Sequence, residues 1–398
     1  LSRYAGALAP QAGGNLRVPS QLSPPLPFDT IVLVFVFIFP LYFGSQFYMM
    51  AVMNERIGRQ GEALLSSPAK PAAIVVGKAL PYACGMLLFS AGVTAYLRAP
   101  PVILAALVPV ILLFLGAALI IGMVSRSFRE LSFLSIFFST VATSYLFFPS
   151  IFANIHSIAL VSPLTLIVLS IQGTGFTGIE YVYSTALFFV AGTVLFSLGI
   201  VNFREEPLFS YERIIPKLRD FLGAWIPDRH RMLSLVFLGA AVIPFVFLVQ
   251  MMLLVLVFNL PLSLSLPLLL VSAAFVEELA KSTVLAAAVH RFPSFLSWRT
   301  LAVASCAIAA GFLIGEKLLL LVSLSEITGS VFGTILFTSL QALWLPFLLH
   351  ATGVLSVGAG MKAGLTLGKP RLGFVTGLVL ATAVHFLYNA AILRGWLI

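Results

Sequence analysis

Ten runs of mostly apolar residues follow one another along this chain, near 28–52, 72–97, 102–124, 131–149, 179–201, 232–258, 262–289, 301–322, 331–360 and 372–393. Each is close to the roughly 20 residues that an α-helix needs to cross the hydrocarbon core of a bilayer. Backbone in lipid must satisfy its own hydrogen bonds, so only helices or closed barrels span. Barrel strands alternate apolar and polar residues, and these runs do not. The chain is 60% hydrophobic and 9% charged, with a mean hydropathy of +1.08; soluble proteins carry about 25% charged residues. The fold class predicted is all-α, a polytopic helical membrane protein with about ten transmembrane helices. One further apolar segment, near 155–171, is too short to cross and is bounded by Pro149, Pro163, Gly173 and Gly175. It is expected to be re-entrant, a form tolerated at membrane depth only where protein covers it.

Loop charge gives the orientation. The loops at 53–71, 125–130, 202–231, 290–300 and 361–371 are basic, whereas 149–178, 259–262 and 323–330 contain no Lys or Arg. The alternation is regular if 155–171 does not cross. It then makes the basic side cytoplasmic and puts the polar segment 1–27 outside, in a multi-pass protein of the cell (plasma) membrane. The net charge of +9 lies in these loops and does not point to nucleic acid. Neither Cys84 nor Cys306 has a neighbour at ligand spacing. Both are expected to pack inside apolar helices, without a disulfide framework.

The basic stretch at 204–231 divides the chain into a module at 28–203 and a module at 232–398. A surface helix is expected near 211–222. Arg213, Lys217 and Arg219 on it either meet anionic lipid headgroups or carry positive-inside charge alone.

Polar residues concentrate in the last four apolar runs. Glu277, Glu278 and Lys281 lie in the run at 262–289, Glu316 in the next, His350 in the third, and His385 with Asn389 in the last. Ionisable residues within spanning helices are costly and mark functional sites. Carboxylates and imidazoles can hold a metal or activate a water. Glu277 and Lys281 are four apart on one helix face, the favourable order for an ion pair. Glu278 points about 100° away and would then be the freer carboxylate. Phe312 and Glu316 share a face, with Gly311 and Gly315 at small-xxx-small spacing on the adjacent one. Lys317 is expected to snorkel outward or to pair with Glu326. Pro346 precedes His350, and Gly353, Gly358 and Gly360 keep that helix slim. His385 and Asn389 share a face, where Asn389 would orient a ligand or bind a substrate backbone. By the loop assignments, all of these groups fall in the middle or outer half of their helices, a depth at which they can meet in one cavity.

This series (E-E-x-x-K, F-x-x-x-E, His, then H-x-x-x-N on four consecutive spans) resembles the PrsW family of intramembrane proteases, relatives of the CAAX prenyl endopeptidases. Glu277, Glu278 and Lys281 match the first motif, Phe312 and Glu316 the second, His350 the third, and His385 and Asn389 the fourth. The resemblance covers roughly 232–398 and implies hydrolysis of peptide bonds in membrane-associated substrates, either metal-assisted or glutamate-activated. On that reading Glu278 or Glu316 is the base for water. His350 and His385 are metal ligands or oxyanion stabilisers. A metal held by Glu278, Glu316, His350 and His385 would be zinc, although the zincin motif H-E-x-x-H is absent.

The module at 28–203 has no intramembrane acid–base cluster. Gln46 and His156 stand alone as packing or interfacial residues. The loop at 54–68, an amphipathic segment ending in Ser66-Ser67-Pro68, is similar to the loop of type-2 ABC exporter permeases that docks on an ATPase subunit. The resemblance makes an ATPase a candidate partner there. A scaffold without transport fits the module equally well, and no Walker motif is present. Such permeases begin with one more span, which motivates the expectation of a longer precursor cut on the outside before Leu1. Two other functions compete with the protease: an export permease subunit with a non-catalytic PrsW-like accessory domain, and an ion- or proton-coupled transporter using the same carboxylates as a relay.

Overall fold

The computed structural model describes residues 28–59, 66–151, 157–204, 212–257, 260–324 and 343–394. These residues form thirteen α-helices, and ten helical spans among them are long and apolar enough to cross a membrane. The protein is therefore a multi-pass helical membrane protein.

In the first half, helices α1 (Phe28–Ile57), α2 (Pro71–Tyr96), α3 (Ile103–Val124), α4 (Phe128–Ile151) and α6 (Gly178–Asn202) are the spanning elements. α3 is the most apolar and lies at the centre, with nearly all of its side chains buried. The last carbonyls of a helix have no partner within it. Here Arg56, at the end of α1 and itself buried, donates to the carbonyls of Gly122, Met123 and Ser125. The cation thus meets the negative end of α3, where the helix dipole favours it. Residues 54–57, predicted to start a separate amphipathic segment, are the last turn of α1; 60–65 fall outside the described residues. Gln46 bonds Ser135 on α4 and so links two helices, whereas His156 falls outside the described residues.

α5 (Pro163–Ile171) has only nine residues, too few to span, and most of them are buried. It follows a short 3₁₀ turn, Ser157–Val161. A hydroxyl network holds it. Ser162 Oγ donates to the carbonyl of Leu146 at 2.6 Å, Ser150 Oγ lies 3.0 Å from Ser162 Oγ, and Thr165 Oγ1 lies 3.3 Å from Ser150 Oγ. Ser162 also caps α5 by accepting from the amide of Leu164. Buried irregular backbone is thereby satisfied.

α7 (Ile214–Ala224) is the linker helix, and its orientation overturns the lipid-headgroup expectation for Lys217. Phe221 is fully buried and Lys217 shares its face, one helical turn away, so Lys217 is 2% exposed while Ile215 is 81% exposed. α7 packs against α10 (Leu262–Arg291), where Asp220 and His290 approach to 3.1 Å. Burial, with the Arg56 guanidinium nearby, pushes the Lys217 ammonium down to about 7.

The single run at 232–258 is two helices, α8 (Arg231–Ala241) and α9 (Ile243–Val257). Pro244 lacks an N–H and its ring crowds the carbonyl four residues back, which accounts for the break. α9 joins the halves. Leu248 belongs to the core of the first half, whereas Ile243 and Val246 cluster with Phe312 of the second.

The second half is completed by α11 (Trp298–Leu324), α12 (Trp344–Thr366) and α13 (Pro370–Leu393). α12 continues to Thr366, beyond the end of the run near 331–360; 331–342 are not among the described residues. Small residues set the closest crossings. A Cβ at Gly315 would lie 3.1 Å from the Ala240 backbone, and one at Gly364 would lie 2.9 Å from Gly373 Cα. Cys84 and Cys306 are both exposed on helix surfaces, not packed as expected. In a membrane protein such surfaces meet lipid, and a thiol tolerates that environment as a small hydrophobe.

Candidate active site

α10 carries three of the polar residues, and its packing decides what each one does. The face bearing Glu278, Lys281, Ser282 and Leu285 turns into the protein; all four are fully buried. Lys281 Nζ donates to Glu278 Oε1 at 2.6 Å, a pair three residues apart. The pairing expected between Glu277 and Lys281 is not formed. Glu277 is rotated off that face toward α9, where Gln250 Nε2 donates to its Oε1 at 3.0 Å. Glu278 is therefore the sealed carboxylate, at 1% side-chain exposure, and Glu277 is the accessible one at 20%.

Three further helices complete the cluster. From α13, His385 Nδ1 lies 2.7 Å from Glu278 Oε1, and its Nε2 lies 3.6 Å from Glu277 Oε2. From α12, His350 Nδ1 lies 2.8 Å from Lys281 Nζ, and its Nε2 lies 3.4 Å from Glu316 Oε2 on α11. The two imidazole rings are 5.5 Å apart, edge to face. Phe312, one turn before Glu316, packs edge-on against His350 at 5.0 Å and lies 4.7 Å from Lys281 Nζ. Glu316 is 23% exposed and pairs with its neighbour Lys317 at 2.8 Å. Lys317 thus has a partner in sequence; Glu326 is outside the described residues. Six of the seven candidate residues converge. The seventh, Asn389, is half-buried one turn beyond His385, and its side chain makes no hydrogen bond among the described residues.

The hydrogen bonds fix the tautomers. Glu278 as a carboxylate only accepts, so His385 donates from Nδ1–H and, as a neutral imidazole, keeps a lone pair at Nε2. An ammonium only donates, so His350 Nδ1 accepts from Lys281 and the ring proton sits on Nε2, directed at Glu316. With Glu277 ionised and His385 neutral, Glu277 Oε2 and His385 Nε2 are two acceptors facing each other across 3.6 Å. A single water can bridge such a gap by donating to both.

Glu277, His350 and His385 place one ligand atom each within 4.8 Å of one another. The set differs from the one expected by including Glu277 in place of Glu278 and Glu316. His385 fits a zinc site well, because a carboxylate holds its second nitrogen in the usual supporting arrangement. His350 does not fit. Its Nδ1 is occupied by a cation and its Nε2 carries the proton, which leaves no lone pair for a metal.

Two residues at the site were not singled out as site residues from sequence. Gln250 is a lone amide in an apolar run, a signal in its own right, since such groups seek partners across helices. Gly353 lies against the Glu278 carboxylate. Glu278 Oε2 is buried there without a hydrogen-bond partner among the described residues.

Compared with protein families, with curated proteins and with solved structures, the chain matches none.

Proposed function

We propose that this protein is an intramembrane endopeptidase that hydrolyses peptide bonds of membrane-associated substrates with a water activated by Glu277 and His385. The observation that carries the reading is the convergence of Glu277, Glu278, Lys281, Glu316, His350 and His385 from four helices on one cluster. Groups serving only to lock helices together would each need one partner. Here three carboxylates, two imidazoles and a lysine share one another, and two of the carboxylates keep access to the outside of the cluster.

In the proposed reaction, Glu277 takes a proton from the bridging water as its oxygen bonds to the scissile carbonyl carbon. The C–N bond then breaks, and the amine leaves with the proton that Glu277 returns. Glu278 holds His385 in the tautomer that accepts from the water. Lys281 neutralises Glu278 and fixes the tautomer of His350. The Asn389 amide supplies a donor for the developing oxyanion. Glu316 keeps His350 aligned. This differs from the roles expected from sequence, because Glu278 is sealed and Glu277 is not. No step runs through a metal, since His350 cannot ligate one in this arrangement.

The test is proteolysis by the full chain in lipid bilayers, with Glu316→Gln and His385→Ala beside the wild type. Removing one partner of such a set should lower kcat by about 100-fold or more, as for other positioned acid–base groups. Full activity in His385→Ala would end the proposal.

A further inference from the structure

Among the described residues, Gln250 is the one polar side chain that reaches the cluster from outside the four helices bearing the motifs. It comes from α9, whose Leu248 is 3% exposed within the core of the first half. Its Nε2 donates to Glu277 Oε1 at 3.0 Å, and the other oxygen of that carboxylate is the one turned to His385. Glu277 makes no other side-chain hydrogen bond among the described residues, and its chain has freedom about three torsions. Without a donor on Oε1, nothing in the described contacts fixes which oxygen meets His385, or at what angle.

We propose that Gln250 is a positioning residue for the catalytic carboxylate. Its amide clamps Oε1 so that Oε2 stays directed at His385 and the water between them. To the ionised carboxylate the clamp is charge-assisted, the stronger kind of hydrogen bond. It also stands on a helix anchored in the other half of the molecule, so the packing of the first half sets the geometry of the base. The inference rests on Glu277 acting as the base, and the test separates the two ideas.

The full chain is placed in lipid nanodiscs, and infrared difference spectra identify the Glu277 carboxylate band as the one lost in Glu277→Gln. Gln250→Met keeps the length and removes the donor; Gln250→Glu keeps the shape and replaces the donor with an acceptor. In both variants the Glu277 band should shift. With a quenched-fluorescent peptide containing an apolar segment of roughly 20 residues as the probe, kcat should fall about 10- to 100-fold with KM unchanged, the kinetic equivalent of one hydrogen bond to a charged group. A band that stays in place in both variants overturns the clamp, whatever the activity. A band that shifts while kcat holds shows a bond without a positioning role and also overturns the proposal. Normal cleavage by Glu277→Gln, or none by the wild type, instead sinks the protease reading and with it the role of Gln250 there.

Discussion

Replacing Gly353 with alanine tests whether the buried side of the cluster positions the exposed side. The added Cβ would lie 2.9 Å from Glu278 Cδ and 3.1 Å from its Oε1. Ordinary carbon contacts lie at about 3.5–4.0 Å, so the carboxylate must retreat by about 0.6–1.1 Å. It has little room to do so, because Oε1 is held at 2.6 Å by Lys281 and at 2.7 Å by His385. A retreat of that size stretches at least one of those bonds toward or past the limit of hydrogen bonding. His385 then loses the group that sets its tautomer. Overpacking of this kind costs about 1–3 kcal/mol of stability, and a displacement near 1 Å at a reacting group costs up to about 100-fold in rate. Gly358→Ala is the matched control. It lies on the same helix, but the atoms nearest its added Cβ belong to the side chain of Leu301, the terminal methyls first. The expected result is a similar loss of stability in both variants, measured by thermal unfolding in detergent, with a large loss of peptidase activity in Gly353→Ala alone. Equal activities in the two variants would refute the idea that Glu278 organises the site from behind.

Three other outcomes follow from the same structure. Chelation of divalent metals should leave peptidase activity undiminished, because Lys281 and Glu316 occupy both nitrogens of His350; a loss restored by added zinc would contradict this. Lys217→Met should stabilise the fold at neutral pH. The folded-state value of Lys217 is lowered to about 7, well below that of an unfolded lysine near 10.4. The unfolded chain then binds more protons across that window. The cost is present in full below about pH 7 and disappears as pH rises through the unfolded value, so the difference in Tm between variant and wild type should shrink toward pH 10. Arg56→Met should lower stability by at least about 1.5–3 kcal/mol, the scale of a hydrogen bond to a charged group, since the carbonyls that end α3 lose their buried donor; an unchanged unfolding midpoint would show that water caps them as well.

The crossings were legible in the sequence because lipid imposes a single strong rule, and long apolar runs express it directly. The short segment at 157–171 was legible for the same reason, by failing the length requirement. Which carboxylate Lys281 would choose was not. Glu277 and Glu278 are both within reach along the helix, at spacings of four and three. The choice depends on which face of α10 turns inward, and that is settled by α12 and α13, more than sixty residues away in sequence. The burial of Lys217 was hidden similarly: a basic residue in a basic loop looks solvated until its helix face is known. Gln250 had a signal, an isolated amide at membrane depth, but its partner lies on the next helix, and spacing along the chain does not identify it.

The break before Pro244 gives the short helix α9 a double allegiance, with Leu248 in one core and Gln250 against the carboxylate of the other. The two halves are consequently not interchangeable cassettes. A chimaera joined within 204–231 would carry α9 into a foreign host, strip the first half of Leu248, and leave a hole where it had been. A graft that respects the molecule would be cut after Val257 instead, and the transplanted second half would then need its glutamine supplied by a neighbour.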